Sequence, residues 1–101
     1  MFSHEATGTW GGPTESPFVV AHGGRYLLFI GPTEYKSGWD GYATTRVLAS
    51  DDALFFAASS EVARINAHAA EVIVDSDGST WVSHCRWGQG GVYLARLYLG
   101  E

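Results

Sequence analysis

The sequence predicts an all-β chain of two antiparallel four-stranded sheets, and three observations carry that expectation. Apolar and aromatic runs alternate with clusters of Gly, Pro, Asp and Ser, and no segment holds a helical period of useful length. Every connection between runs is short and turn-like, which makes neighbouring strands antiparallel. The chain also repeats itself. Glu15-Ser16-Pro17-Phe18-Val19-Val20 and His68-Ala69-Ala70-Glu71-Val72-Ile73 each set a polar residue ahead of an apolar run, followed by a turn and a second aromatic strand. Sliding one onto the other pairs Glu15 with His68, Val19 with Val72, Val20 with Ile73 and, past a turn of slightly different length, Tyr26 with Trp81. A repeat of about 50 residues is the period of β-propeller blades, each of which starts at a shared axis.

In chain order, residues 1–14 read as a loose lead-in, broken at Gly11-Gly12-Pro13 and anchored by Trp10. Phe18 to Ala21 and Arg25 to Ile30 form a hairpin across His22-Gly23-Gly24, where glycine permits positive φ. Gly31-Pro32 ends it, and a longer loop over 32–41 carries Tyr35, Lys36, Trp39 and Asp40. Tyr42 to Ser50 reads as a third strand, closed by the turn residues Asp51-Asp52. Residues 53–61 read as loop and strand despite some helical propensity, with Val62 to Ile65 as the fourth strand. The second unit runs Glu71 to Val74, an Asp75-Ser76-Asp77-Gly78 turn, Thr80 to His84, a break at Gly88-Gln89-Gly90-Gly91, and Val92 to Leu99. Residues 1–101 thus form a single domain, with 13–66 as a first blade and 67–101 as a second, partial one.

The chain has 101 residues, enough for one core. Hydrophobic residues make up 46% and aromatics 14%, while charged residues are 17%, below the roughly 25% usual in soluble domains. Blades need neighbours on both faces, so the aromatic excess and two uncovered faces predict a homo-oligomer. Met1 favours a complete reading frame, and hence assembly over a fragment. The net charge of −5 argues against nucleic acid and anionic membrane surfaces as partners. The single Cys85 forms no intrachain disulfide and no CxxC metal pair, and the N-terminus carries no basic and apolar leader pattern. A cytoplasmic protein without cofactor is the expectation.

Several residues carry possible chemistry. Glu15 precedes Ser16-Pro17, and proline pushes the residue before it to extended geometry, so the carboxylate is expected at a strand mouth as a general acid or sugar-hydroxyl acceptor; an exposed loop carboxylate is the plain alternative. His68 reads as an inner-mouth residue or a hydrogen-bonded structural histidine. His68 and Glu71 lack the second histidine of a zinc motif, and on a strand, positions three apart face opposite sides of the sheet, so they are not expected to be joint ligands. Asp75 to Gly78 begins like a calcium loop, but Arg86 stands where the closing glutamate belongs, so turn chemistry is expected. His84 and Cys85 point to opposite faces and cannot act as base and nucleophile, and Cys85 reads as buried and inert. His84, Trp87 and Gln89, together with Trp39, suit stacking on a sugar ring and bonding its hydroxyls; Trp87 suits equally a plug between blades.

Glu15-Ser16-Pro17-Phe18-Val19-Val20 followed by Gly24-Arg25-Tyr26-Leu27-Leu28-Phe29, and His68 followed by Asp77-Gly78 and Trp81, resemble successive blades of the five-bladed propeller glycosidases, glycoside hydrolase families 43, 32, 62 and 68. Tyr42 to Asp52 is similar to the recurring strand and turn of that group. The resemblance spans roughly residues 10–99 and implies that Glu15 is the proton donor and His68 an axial residue. It also implies an incomplete site: the aspartate nucleophile or base of that group belongs to an earlier blade, and residues 1–14 contain no aspartate. The expected function is therefore a glycosidase-like protein with a carbohydrate-sized pocket, hydrolytically weak as a single chain. The alternative is a non-catalytic carbohydrate-binding or assembly-forming propeller module.

Overall fold

The structure is a computed structural model that describes residues 15–31, 40–85 and 90–100. Seven strands form: β1 Glu15–His22, β2 Arg25–Gly31, β3 Thr45–Ser50, β4 Glu61–Ile65, β5 His68–Val74, β6 Thr80–Cys85 and β7 Val92–Arg96. They make a four-stranded sheet in the order β1-β2-β3-β4 and a three-stranded sheet β5-β6-β7, antiparallel throughout. The all-β expectation holds. The second sheet has three strands among the described residues rather than four: β7 ends at Arg96, and 97–100 leave the sheet after the Leu97 amide donates to the Thr80 carbonyl at 2.9 Å. No helix among the described residues is long and apolar enough to cross a membrane.

Local chemistry sets the turns. β1 and β2 close around Gly23-Gly24 at φ 61° and 79°, the conformation that two-residue hairpin turns require and that glycine adopts without a Cβ penalty. The Asp75–Ser79 turn bonds itself: the Asp75 amide donates to the Ser79 carbonyl at 2.8 Å, and Asp77 Oδ1 accepts the Ser79 amide at 2.8 Å and its hydroxyl at 2.6 Å. These Ser79 bonds hold the Asp77 carboxyl below its usual range. Asp52 caps its own turn by accepting the Leu54 amide at 2.9 Å. The third strand starts at Thr45, not Tyr42, because Asp40–Ala43 coil into a 3-10 turn; a second such turn, Ala58–Ser60, precedes β4.

Register divides the residues of the first sheet between two faces. Phe18, Phe29 and Val47 align across β1, β2 and β3, as do Val20, Leu27 and Ala49. This inner face meets the second sheet in a cluster where Phe29, Val47 and Val72 are buried and Phe18, Val20, Ile65, Leu97 and Leu99 pack around them. Ala67, Ala70 and Val82 extend the same seam. The outer face, with Tyr26, Leu28, Ile30 and Leu48, is covered by Phe56 from the β3–β4 connection.

Strand pairing also places a charge in the interior. Arg46 lies buried on β3; its Nε donates to Glu61 Oε1 at 2.7 Å and its Nη2 to the Ala58 carbonyl at 3.0 Å. Arg64 reaches the same carboxylate, Nε to Oε2 at 2.6 Å. Hydrogen bonding from Arg64, opposed by partial desolvation and reinforced by Arg46, holds the Glu61 carboxyl below its ordinary range. Bonds to charged groups of this kind contribute more than neutral ones, whereas the exposed Arg25–Asp51 pair at 3.2 Å adds little.

Two outcomes follow for stability. Phe56→Ala empties a fully enclosed site and should cost about 3–5 kcal/mol, read from urea unfolding. Glu61→Gln should cost about 1.5–3 kcal/mol at neutral pH. Because the folded carboxyl is depressed, its contribution is present above the unfolded value of about 4.3 and fades as pH falls through the lower folded value. The difference between wild type and Glu61→Gln in urea midpoint should therefore shrink from pH 5 to pH 3, and an unchanged gap would refute the linkage.

Candidate functional site

The two repeats carry the same backbone irregularity at the same place. Glu15 pairs with Gly31 and Phe18 with Phe29, so two residues of β1 oppose one of β2; His68 pairs with Cys85 and Glu71 with Ser83, the same bulge in β5. In each bulge the residue after the polar one is left-handed, Ser16 at φ 55° and Ala69 at φ 54°. Non-glycine residues there bear a cost of roughly 1–2 kcal/mol. The expectation that proline holds Ser16 extended is thus corrected. Ala69 adopts the same angle with Ala70 after it, so the bulge and not Pro17 sets this geometry.

The register also corrects the sequence alignment and the strand parity. Tyr26 lies opposite Ala21 and Thr80 opposite Val74, so the counterpart of Tyr26 is Thr80, and that of Trp81 is Leu27. His68 and Glu71 fall on one face rather than opposite ones, because the extra residue of the bulge resets the alternation and their partners Cys85 and Ser83 are two apart. No cluster of three or more His, Cys, Asp or Glu able to hold a metal ion occurs among the described residues.

Antiparallel order puts Glu15, Gly31, Thr45, Ile65, His68, Cys85 and Val92 at one common end of the two sheets, and β1 packs against β5. Glu15 is exposed there. His68 is half-buried and fixed: its Nδ1 lies 2.9 Å from the Tyr42 carbonyl, and its ring meets Tyr42 edge-on at 6.1 Å. A carbonyl only accepts, so Nδ1 is the donor of this bond. The 3-10 turn that displaced Tyr42 from β3 is what supplies that carbonyl. Nearby, the Thr45 hydroxyl donates to the Ala67 carbonyl at 2.5 Å, and the Ala67 amide to Ile65, tightening the crossover between the sheets. His84 stacks on Tyr93 with centroids 5.8 Å apart and 26° between planes, and its Nδ1 is buried with no hydrogen-bond partner among the described residues. Cys85 is half-buried rather than buried. Trp39, Trp87 and Gln89 lie outside the described residues.

A different set of residues gathers at the other end, about 20 Å away along a strand such as β1. A cleft of about 300 Å³ is lined there by His22, Ser79, Thr80, Arg96 and Tyr98. The Arg96 guanidinium lies 5.3 Å from the ring centres of both Trp81 and Tyr98. A second, apolar cleft of about 240 Å³ lies between Phe29, Val47, Ile65 and the Leu97–Leu99 segment. Sequence reading missed Tyr42, Tyr93 and the Arg96 ladder, because each contact depends on cross-strand register.

If the bulge demands left-handed geometry, Ala69→Gly should leave stability unchanged or raise it by up to about 1 kcal/mol, while Ala69→Val should destabilise by more than about 1 kcal/mol. Thermal melts of both variants check this, and a stabilising valine would overturn it. No protein-family model matches this chain, and no curated protein or solved structure matches it either.

Proposed function

We propose that this chain is a two-blade unit of the propeller-glycosidase type that presents Glu15 and His68 to a carbohydrate at the bulged end of its sheets. The observation supporting the reading is the duplicated bulge, which gives an acid and an oriented imidazole equivalent backbone positions at the starts of two packed strands. Bulges recur beside active sites because they re-aim a side chain. Glycoside hydrolysis needs a protonated donor and an ionised partner roughly 5–9.5 Å apart. Glu15 fills the donor role, and the partner carboxylate comes from another copy of the chain in an oligomer. A lone chain then binds sugar and turns it over weakly or not at all.

A second reading rests on the opposite end. Trp81, Arg96 and Tyr98 form an aromatic and cationic ladder beside the polar cleft, a surface suited to stacking on a sugar ring without chemistry. Aryl arabinosides, xylosides and fructosides distinguish the two. Turnover lost in Glu15→Gln by at least a hundredfold, with Tyr98→Ala unaffected, supports the enzyme. Binding without turnover, weakened by Tyr98→Ala and not by Glu15→Gln, supports the module, and absence of both removes the carbohydrate reading.

A further inference from the structure

Three of the arginines among the described residues meet a carboxylate: Arg25 pairs with Asp51, and Arg46 and Arg64 share Glu61. Arg96 makes no ion pair among the described residues, although acidic side chains outnumber basic ones in the chain by 11 to 6. Asp77 feels the Arg96 charge without pairing with it, because its Oδ1 accepts the Ser79 amide at 2.8 Å and the Ser79 hydroxyl at 2.6 Å.

The Arg96 guanidinium is held by rings instead. Register sets Arg96, the last residue of β7, opposite Trp81, whose Nε1 donates to the Ser79 hydroxyl at 3.0 Å. The Leu97 amide donates to the Thr80 carbonyl at 2.9 Å, and Tyr98, one residue on, meets the same guanidinium. Stacking uses the faces of a guanidinium and hydrogen bonding uses its plane, so a stacked arginine keeps its N–H fork for a ligand. The cleft beside that fork is lined also by His22, Ser79 and Thr80, and its 300 Å³ stands at the lower end of the roughly 300–1,000 Å³ usual for small-ligand pockets. Tyr98 is 80% exposed, which leaves its ring open to a further partner.

We propose that this cleft binds an acidic sugar, a hexuronate whose carboxylate takes the N–H fork of Arg96 while its ring packs on Tyr98 and its hydroxyls meet Thr80 and His22. A planar carboxylate matches the fork in bidentate fashion. A single cation with Asp77 close by favours a ligand of one negative charge over a phosphate ester, which carries close to two. The inference rests on the reading of the Tyr98 end as a sugar-stacking surface and adds the class of sugar. It is independent of Glu15 and of any hydrolysis.

Methyl β-xyloside and methyl β-glucuronide differ only by the carboxylate on the pyranose ring, so a matched NMR titration of the full chain tests the assignment. The glucuronide should bind about tenfold more tightly than the xyloside and shift the Arg96 side-chain Nε–H and the Tyr98 amide. Arg96→Gln should bring the two ligands to equal affinity with unchanged circular dichroism, and Arg96→Lys should restore part of the preference. In wild type, which needs no variant to fold, the preference should shrink as salt rises from about 20 to about 500 mM. Equal affinity for both glycosides, or a preference that survives Arg96→Gln or high salt, overturns the acidic-sugar assignment and leaves the stacking surface standing. Acetate binding as tightly as the glucuronide at equal ionic strength overturns the sugar half of the assignment. Binding of neither glycoside overturns the assignment and the stacking surface together.

Discussion

Everything in this fold depends on Val72 being seated against Phe29 and Val47. The three-stranded sheet cannot stand alone: β7 is exposed along its whole length, and most of β5 and β6 faces water on one side. Small isolated sheets are marginal in water unless a hydrophobic face is covered. The first sheet supplies that cover, and the Leu97–Leu99 segment leaves β7 to line the same seam. Loss of this contact would release the second sheet, and with it His68 from the neighbourhood of Tyr42.

The two ends of the strands are tied differently. At the bulged end, a two-residue crossover, the Thr45 to Ala67 bond and the His68 to Tyr42 bond tie the sheets within a few residues. At the far end, the His22 imidazole Nε2 meets the Gly100 carbonyl at 3.3 Å, an exposed and longer contact. Left-handed residues persist only where surroundings over-determine them. Ser16 and Ala69 sit at the tied end, where the cost of their geometry is offset by neighbours on both strands.

Much of the strand order was legible, since Gly23-Gly24, Asp51-Asp52 and Asp75 to Gly78 are turn chemistry that acts locally. The same locality made the Glu15 and His68 equivalence readable. The bulges were not read, because an extra residue is defined by its partner strand, although Pro17 inside a strand was a usable sign: proline there is confined to edges and bulges. The charged clamp escaped for a related reason. Arg46 stands in a run whose other members are apolar or small, and only the pairing of β3 with β4 shows that Glu61 and Ala58 meet its guanidinium. Tyr42 was misplaced because its residue type suits a strand, whereas its role here is a carbonyl contact made from a 3-10 turn.

A repeat that shares a bulge has a consequence for any site at its ends. Equivalent positions in the two sheets point the same way, so the same bulge presents a carboxylate in the first and an imidazole in the second. Neither can duplicate the other's role, because Glu15 is an exposed acid and His68 is pinned through Nδ1.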